Sequence, residues 1–308
     1  MMTIINTNVL SLNAQRNLSS NSANLATSIN RLSTGMRVNS AKDDAAGLAI
    51  SERMSAQSRG MEIARRNAND AVSLAQTAEG ALGSMNGMLQ RMRELAIQST
   101  NATNSSTDRT ALQNEFNQLQ TEITRTANTT RFNGNLILTQ TTSFDFQIGS
   151  NATTNDQISV SALNVLSTTT SANSDVGALA RVTNATCIDI STVGVRGSAA
   201  GAANFAAYGA VASMGTGALG AVEVLDFALA QVNSARSTFG AVQNRFDAVI
   251  SNLNISIENQ AAARSRIVDT DYARETATLA RAQVLQQAGI AMLSQANAAP
   301  NQVLSLLR

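Results

Sequence analysis

The chain has 308 residues, 44 % of them apolar, with a net charge of +1, no His, no Trp, one Cys and one Pro. That is enough apolar side chain for one large or two modest domains. The missing histidine and the absence of paired thiols remove the near-neutral general base, the commonest metal ligand and any disulfide framework, which argues against an enzyme and against a metal or other cofactor. The arginines are scattered, without the aromatic interleaving or basic block of a nucleic-acid groove, and no apolar run approaches the ~20 residues of a membrane span. The first residues, Met1-Met2-Thr3-Ile4-Ile5-Asn6, carry neither the basic start nor the apolar stretch of a cleaved signal peptide, so composition alone predicts a cytosolic chain.

Taken in chain order, Leu18, Leu25 and Leu32 are spaced seven apart and predict a coiled-coil helix near the start. From Leu74 a second stripe, Leu74, Ala78, Ala81, Met85, Met88, Met92 and Leu95, alternates steps of four and three along one helical seam. Glu62, Arg66 and Asp70 form i,i+4 pairs on its exposed face, each contributing about 0.2–0.5 kcal/mol. Gly80, Gly83 and Gly87 interrupt this helix at up to about 1 kcal/mol each relative to Ala, and close approach of a neighbouring helix is the expected reason. A polar break, 101–108, precedes a shorter helix carrying Leu112, Phe116, Leu119 and Ile123 that folds back on the previous one.

The period then changes to two. Asn133-Gly134 signals a turn, and Phe144, Phe146 and Ile148, then Ile158 and Val160, alternate with polar residues, which predicts a small β region over about 132–165. Residues 167–218 are rich in Ser, Thr, Ala and Gly and carry the lone Cys187; they read as an irregular surface insert. Helical periodicity returns over Val222, Leu225, Leu229, Val232, Ala235, Phe239, Val242, Phe246, Val249 and Leu253, the natural partner of the Leu74 stripe. At the far end Leu285, Met292 and Ala299 repeat the sevenfold spacing, ahead of Val303, Leu304, Leu306 and Leu307. The fold class predicted is mainly α, a long coiled-coil rod of paired N- and C-terminal segments with a small β region and a short irregular insert. Both terminal stripes lack a core beyond one another, so the ends are expected to be disordered in the free subunit and to fold when copies assemble.

Three runs then carry a resemblance: Ile4-Ile5-Asn6-Thr7-Asn8, Asn39-Ser40-Ala41-Lys42-Asp43-Asp44-Ala45-Ala46-Gly47-Leu48-Ala49-Ile50, and Val303-Leu304-Ser305-Leu306-Leu307-Arg308. Together with Thr130-Arg131-Phe132-Asn133-Gly134, the stretch from Ala230 to Arg236, and Leu285-Gln286-Gln287-Ala288-Gly289, they resemble the bacterial flagellins over about 1–140 and 220–308. The resemblance implies a subunit that polymerises into the flagellar filament, the propeller for swimming. Its domains would be an inner-tube terminal coiled coil over 1–44 plus 266–308, a helical rod with the small β region over 45–166 plus 219–265, and a variable surface insert over 167–218.

It further implies an extracellular location reached through the flagellar type III export channel without a cleaved signal peptide. The implied partners are further copies of the chain, an export chaperone on about 270–308, and the cap and hook-junction proteins. Leu18, Leu25, Leu32, Leu285, Met292, Val303, Leu304, Leu306 and Leu307 would serve polymerisation. Positions matching the flagellin epitope for an animal Toll-like receptor are Gln90, Arg91, Leu95 and Glu115, while contacts between subunits are the competing role for the same residues. Two rivals stay open: a hook-filament junction protein, and an adhesive surface protein using the 167–218 insert as its recognition face.

Overall fold

The computed structural model describes residues 8–161, 164–165 and 218–305, with side chains to residue 298. The opening run 1–7, the 167–217 portion of the insert with Cys187, the side chains of Val303 and Leu304, and Leu306 and Leu307 lie outside the described residues. Five helices dominate the described residues: α1 (Val9–Thr34), α2 (Ala45–Ser99), α3 (Ser106–Thr129), α4 (Ala218–Val268) and α5 (Tyr272–Ser305). Four short strands stand between α3 and α4: β1 (Arg131–Phe132), β2 (Asn135–Leu136), β3 (Phe144–Gln147) and β4 (Gln157–Val160). The chain divides into two compact units, 1–59 with 256–308, and 60–255.

In the unit formed by the chain ends, α1 and α5 run antiparallel. The seam positions of α1, all buried or half-buried, are Ser11, Ala14, Leu18, Asn21, Leu25, Ser28 and Leu32, and those of α5 are Glu275, Leu279, Ala282, Gln286, Gly289, Leu293 and Ala296. Both series alternate steps of three and four, the seam of a coiled coil. Helix α1 ends at Gly35, whose φ of +71° belongs to the left-handed region where a Cβ is costly, and whose N–H donates to Arg31 O at 2.9 Å. The Arg37 guanidinium donates to the last carbonyls of α4, Ile267 O at 2.8 Å and Arg266 O at 3.4 Å. A cation is well placed there by the negative end of the helix dipole.

The run from Asn39 to Gly47 is a capping device. Asp43 Oδ2 accepts from Ser40 N and Ser40 Oγ, each at 2.9 Å, and Asp44 Oδ1 accepts from Gly47 N at 2.8 Å at the start of α2. The bonds from Ser40, side chain first, hold the Asp43 carboxyl below its ordinary pKa. A Cβ on Gly47 would stand 2.3 Å from Asp44 Oδ2, so this glycine leaves room for the cap. Asp43 and Asp44 are thus both engaged in local capping, and among the described residues no cluster of three metal-ligating side chains exists.

In the second unit the core runs along α2. Its buried positions Ala64, Ala68, Ala71, Ala75, Ala78, Leu82, Met85, Leu89, Met92 and Ala96 keep a strict four-three alternation. The seam is therefore centred one position away from the expected stripe: Leu74 and Leu95 are buried beside it, but Ala81 and Met88 are only half-buried edge positions. The cause is that α2 buries a broad face, sharing one cluster with Phe116 and Ile123 of α3, Leu225, Val232, Phe239 and Phe246 of α4, and Ile158 and Val160 of β4. Phe246 also meets Phe146 of β3 edge to face at 5.8 Å between ring centroids.

The predicted turn is present: β1 and β2 pair antiparallel around Asn133 (φ +49°) and Gly134 (φ +83°), both left-handed. Strands β3 and β4 pair with Phe144 opposite Val160 and Phe146 opposite Ile158, so the alternating apolar residues share one face. The break after α2 is shorter than its composition suggests, because Ser105 and Asp108 form a capping box that starts α3 at Ser106.

Among the described residues, Gly80, Gly83 and Gly87 of α2 serve no close approach. A Cβ placed on Gly80, Gly83 or Gly87 meets no described atom within 4 Å. The close approach lies elsewhere on the helix, at Gly60, where a Cβ would come 2.9 Å from Ser150 Cβ.

Candidate functional site: the paired chain ends and the Arg91 cluster

The α1/α5 seam is built from small and polar side chains more than from leucines. Leu18 Cδ1 reaches to 3.3 Å from where a Gly289 Cβ would stand, so the missing side chain at 289 makes the hole for the Leu18 knob. Asn21 Nδ2 donates to Ala282 O at 2.8 Å, Asn8 Nδ2 to Ala296 O at 2.7 Å, Ser11 Oγ to Asn297 Oδ1 at 2.7 Å, and Tyr272 Oη to Leu32 O at 3.0 Å. These bonds tie the two ends of the chain along the length of α1.

Leu18, Leu25 and Leu32 lie half-buried in this seam. Leu285 and Met292 do not: they are 54 % and 65 % exposed on the outer side of α5. The seven-residue repeat of their apolar side chains suggested a seam, but close packing selects Ala282, Gly289 and Leu293 in their place, where two of the three are small enough for the helices to approach. Leu285 and Met292 join Val284 and Ile290 as exposed apolar residues of α5, and Val9, Leu10, Leu12 and Ile29 are their counterparts on α1. Eight large apolar side chains of this helical pair therefore stand exposed to water.

The seam also holds a buried acid. Glu275 is 8 % exposed, and among the described residues its Oε1 has no hydrogen-bond partner. Arg31 Nε, likewise buried and unpaired, belongs to the facing stretch of α1.

Among the receptor-epitope candidates, Arg91 donates from Nε to Glu115 Oε1 at 2.9 Å and from Nη1 to Glu94 Oε2 at 3.0 Å. All three residues are exposed and so is Gln90. The bonds to Glu94 and Glu115, in that order, push the Arg91 pKa up, so its charge is fixed. Leu95 departs from the expected epitope: it is fully buried in the core of its unit and offers no surface to a partner, because α2 buries a broad face that includes it. A similar exposed pair, Arg93 with Asp226, links α2 to α4. The Ser105–Asp108 box and the Asn8 bond to Ala296 O were not anticipated. The first was legible as Ser-x-x-Asp; the second had no signal in the sequence, since it needs the register of two helices whose paired residues stand 288 positions apart.

A chain whose two ends pair as an antiparallel coiled coil while leaving large apolar side chains exposed outside the shared seam has the design of a self-assembling structural subunit. The family comparisons agree. Residues 5–143 match the bacterial flagellin N-terminal helical region, and residues 222–307 match the bacterial flagellin C-terminal helical region. The chain is 41 % identical to a flagellin of Halalkalibacterium halodurans over 99 % of this chain and 100 % of that one. It is 39 % identical to flagellin D and 38 % identical to flagellin B of Vibrio cholerae, in each case over 98 % of this chain and 99 % of the relative. A crystal structure of Bacillus cereus flagellin aligns over 65 % of this chain and 94 % of that one, at 29 % identity and a TM-score of 0.42. The chain belongs to the bacterial flagellin family, and it is a structural subunit of the flagellar filament.

Proposed function

We propose that the subunit is added to the filament through the outer apolar faces of α1 and α5, which line the inside of a hollow tube turned as a propeller for swimming. The observation that carries this reading is the exposure of large apolar side chains on both terminal helices outside their shared seam. Leu285 and Met292 are among them. Burying a leucine-sized side chain is worth about 1.5–3 kcal/mol, so covering these residues supplies a large part of a subunit contact. The seam itself mixes five polar and four small residues with only five leucines, which fits ends that are loosely held in the free subunit and consolidated by neighbours. Loosely held ends also suit passage through a narrow type III export channel, with a chaperone covering 270–308 before release and the cap and hook-junction proteins meeting the same faces outside the cell.

Seeded polymerisation tests the reading. The variant Leu285→Ser/Met292→Ser, checked for helicity by circular dichroism, should fail to extend filament fragments in electron micrographs, and normal extension would reject the assigned face. Removal of everything after Ala299 should give a soluble, helical chain that does not extend seeds.

A second role for the Arg91 cluster is recognition by a host Toll-like receptor. The exposed, charged Arg91–Glu115 pair with adjacent Gln90 favours it. Arg91→Ala with Glu115→Ala should abolish receptor signalling by purified monomer, and undiminished signalling would remove the epitope.

A further inference from the structure

Heptad seams are ambiguous by seven residues. Leu18, Leu25 and Leu32 are chemically the same, and so nearly are Ala282, Gly289 and Ala296, so sliding α1 past α5 by one heptad would still place leucines against small residues. Something other than apolar packing must select one register.

Helix α5 contains the only proline of the chain, Pro300. A proline has no backbone N–H, and in an α-helix the N–H of residue 300 would bond the carbonyl of residue 296. That vacated carbonyl, Ala296 O, receives Asn8 Nδ2 at 2.7 Å. The other end of the same amide, Oδ1, accepts from Ser11 N at 3.1 Å and so caps α1. A carboxamide can donate to a carbonyl from its nitrogen and accept from a backbone amide at its oxygen at once. Beside it Ser11, buried in the seam, donates to Asn297 Oδ1. Asn21 also reaches a carbonyl of α5, Ala282 O, but interior helix carbonyls recur every residue and each already holds its own N–H. The carbonyl of residue 296 is distinguished by the proline four residues on.

We propose that Asn8 and Pro300 are a matched pair that sets the register of α1 against α5. Pro300 exposes one acceptor near the end of α5, and Asn8, by filling it while starting α1, makes that alignment the only one in which neither group is left unpaired. At the other end of the pair Tyr272 takes Leu32 O from the last turn of α1. Resting on the filament reading, the consequence is that Asn8 is a positioning residue for assembly, since a slipped hairpin would present Leu285 and Met292 a heptad away from their partners in the next copy.

The test uses the full chain with Cys187→Ser. Leu18→Cys with Gly289→Cys reports the observed register, and Leu18→Cys with Ala282→Cys reports a slip of one heptad. Oxidation traps either alignment even where the pairing is short-lived, and both pairs are read on non-reducing gels from monomer and from seeded filaments. With Asn8 and Pro300 intact, only the 18–289 disulfide should form efficiently. Asn8→Ala should produce the 18–282 product and raise the critical concentration for seed extension by about 3- to 10-fold, the range of one hydrogen bond to a part-buried carbonyl. Pro300→Ala, which restores the amide that occupies Ala296 O, should also yield the slipped product. The double variant should be no worse than either single one.

An 18–289 disulfide unchanged by Asn8→Ala, or an effect of Asn8→Ala that is equally large with and without Pro300→Ala, would overturn the pairing. Failure of the filament reading looks different. The chain with both residues intact would then not extend seeds at all, while the disulfides in the monomer would still report the register.

Discussion

Gly80, Gly83 and Gly87 stand on one stripe of α2 with open space above each of them among the described residues, and Gly60, on the same helix, does not. Alanine in place of glycine in a helix interior restricts the unfolded backbone and is more favourable by about 0.8–1.0 kcal/mol per residue, provided the added methyl meets nothing. No described atom lies within 4 Å of any of the three new methyl groups, so the full gain applies and the triple variant Gly80→Ala/Gly83→Ala/Gly87→Ala should be more stable by about 2.5–3 kcal/mol. For a unit of this size one kcal/mol moves the melting temperature by about 2–4 °C, which gives an increase of about 5–12 °C. Gly60→Ala should do the opposite, because its methyl would be forced to 2.9 Å from Ser150 Cβ, and overpacking of this kind costs about 1–3 kcal/mol. Thermal unfolding of the monomer followed by far-ultraviolet circular dichroism reads both. Destabilisation by any one of the three upper alanines, or stabilisation by Gly60→Ala, would refute the argument from open space.

Glu275→Leu should stabilise the α1/α5 pair by about 1–2 kcal/mol, since an unpaired buried carboxylate oxygen costs about 1–3 kcal/mol and the favourable helix N-terminal placement returns only part of that; loss of amide protection in α1 and α5 on hydrogen exchange would contradict this. Phe246→Ala removes a fully buried ring and its edge contact with Phe146, and should cost about 3–5 kcal/mol in denaturant unfolding without changing the amount of exposed surface at the chain ends. Arg93→Ala should cost under about 1 kcal/mol, because Arg93 and Asp226 are both largely in water, and the loss should vanish in high salt; a large, salt-independent loss would contradict the exposed geometry. The hydrogen bonds from Ser105, side chain first, hold the Asp108 carboxyl below its ordinary pKa, so its contribution to folding is complete above the ordinary carboxylate range and is lost as pH falls through the depressed value. Asp108→Asn should therefore flatten the acid limb of the stability profile, and an unchanged acid limb would count against the capping box.

Periodicity made the helices legible, because a buried stripe must recur about every 3.5 residues and α2 and α4 each repeat it many times. The Asn133-Gly134 turn and the alternation at Phe144, Phe146, Ile158 and Val160 were equally readable, since turn chemistry and a period of two are local properties. The Arg91–Glu115 pairing was readable only as a juxtaposition of two helices. Leu95 shows the limit: the same spacing placed it both on the apolar stripe of α2 and one turn from the exposed Arg91, and only the packing of α3 and α4 against α2 decides that it is buried.

What the amino-acid order determined by itself was helix, strand, turn and the heptad character of both ends, all set by interactions within a few residues. Which face of each terminal helix is shared was decided by the tertiary structure alone. Leu285 and Met292 are better hydrophobes than Ala282 and Gly289, yet they point outward, because two helices can close on each other only where side chains are small enough to let Leu18 in. The bond from Asn8 to Ala296 O has the same origin: the proline opens a carbonyl locally, and only the packing of the chain's beginning on its end brings the amide that fills it.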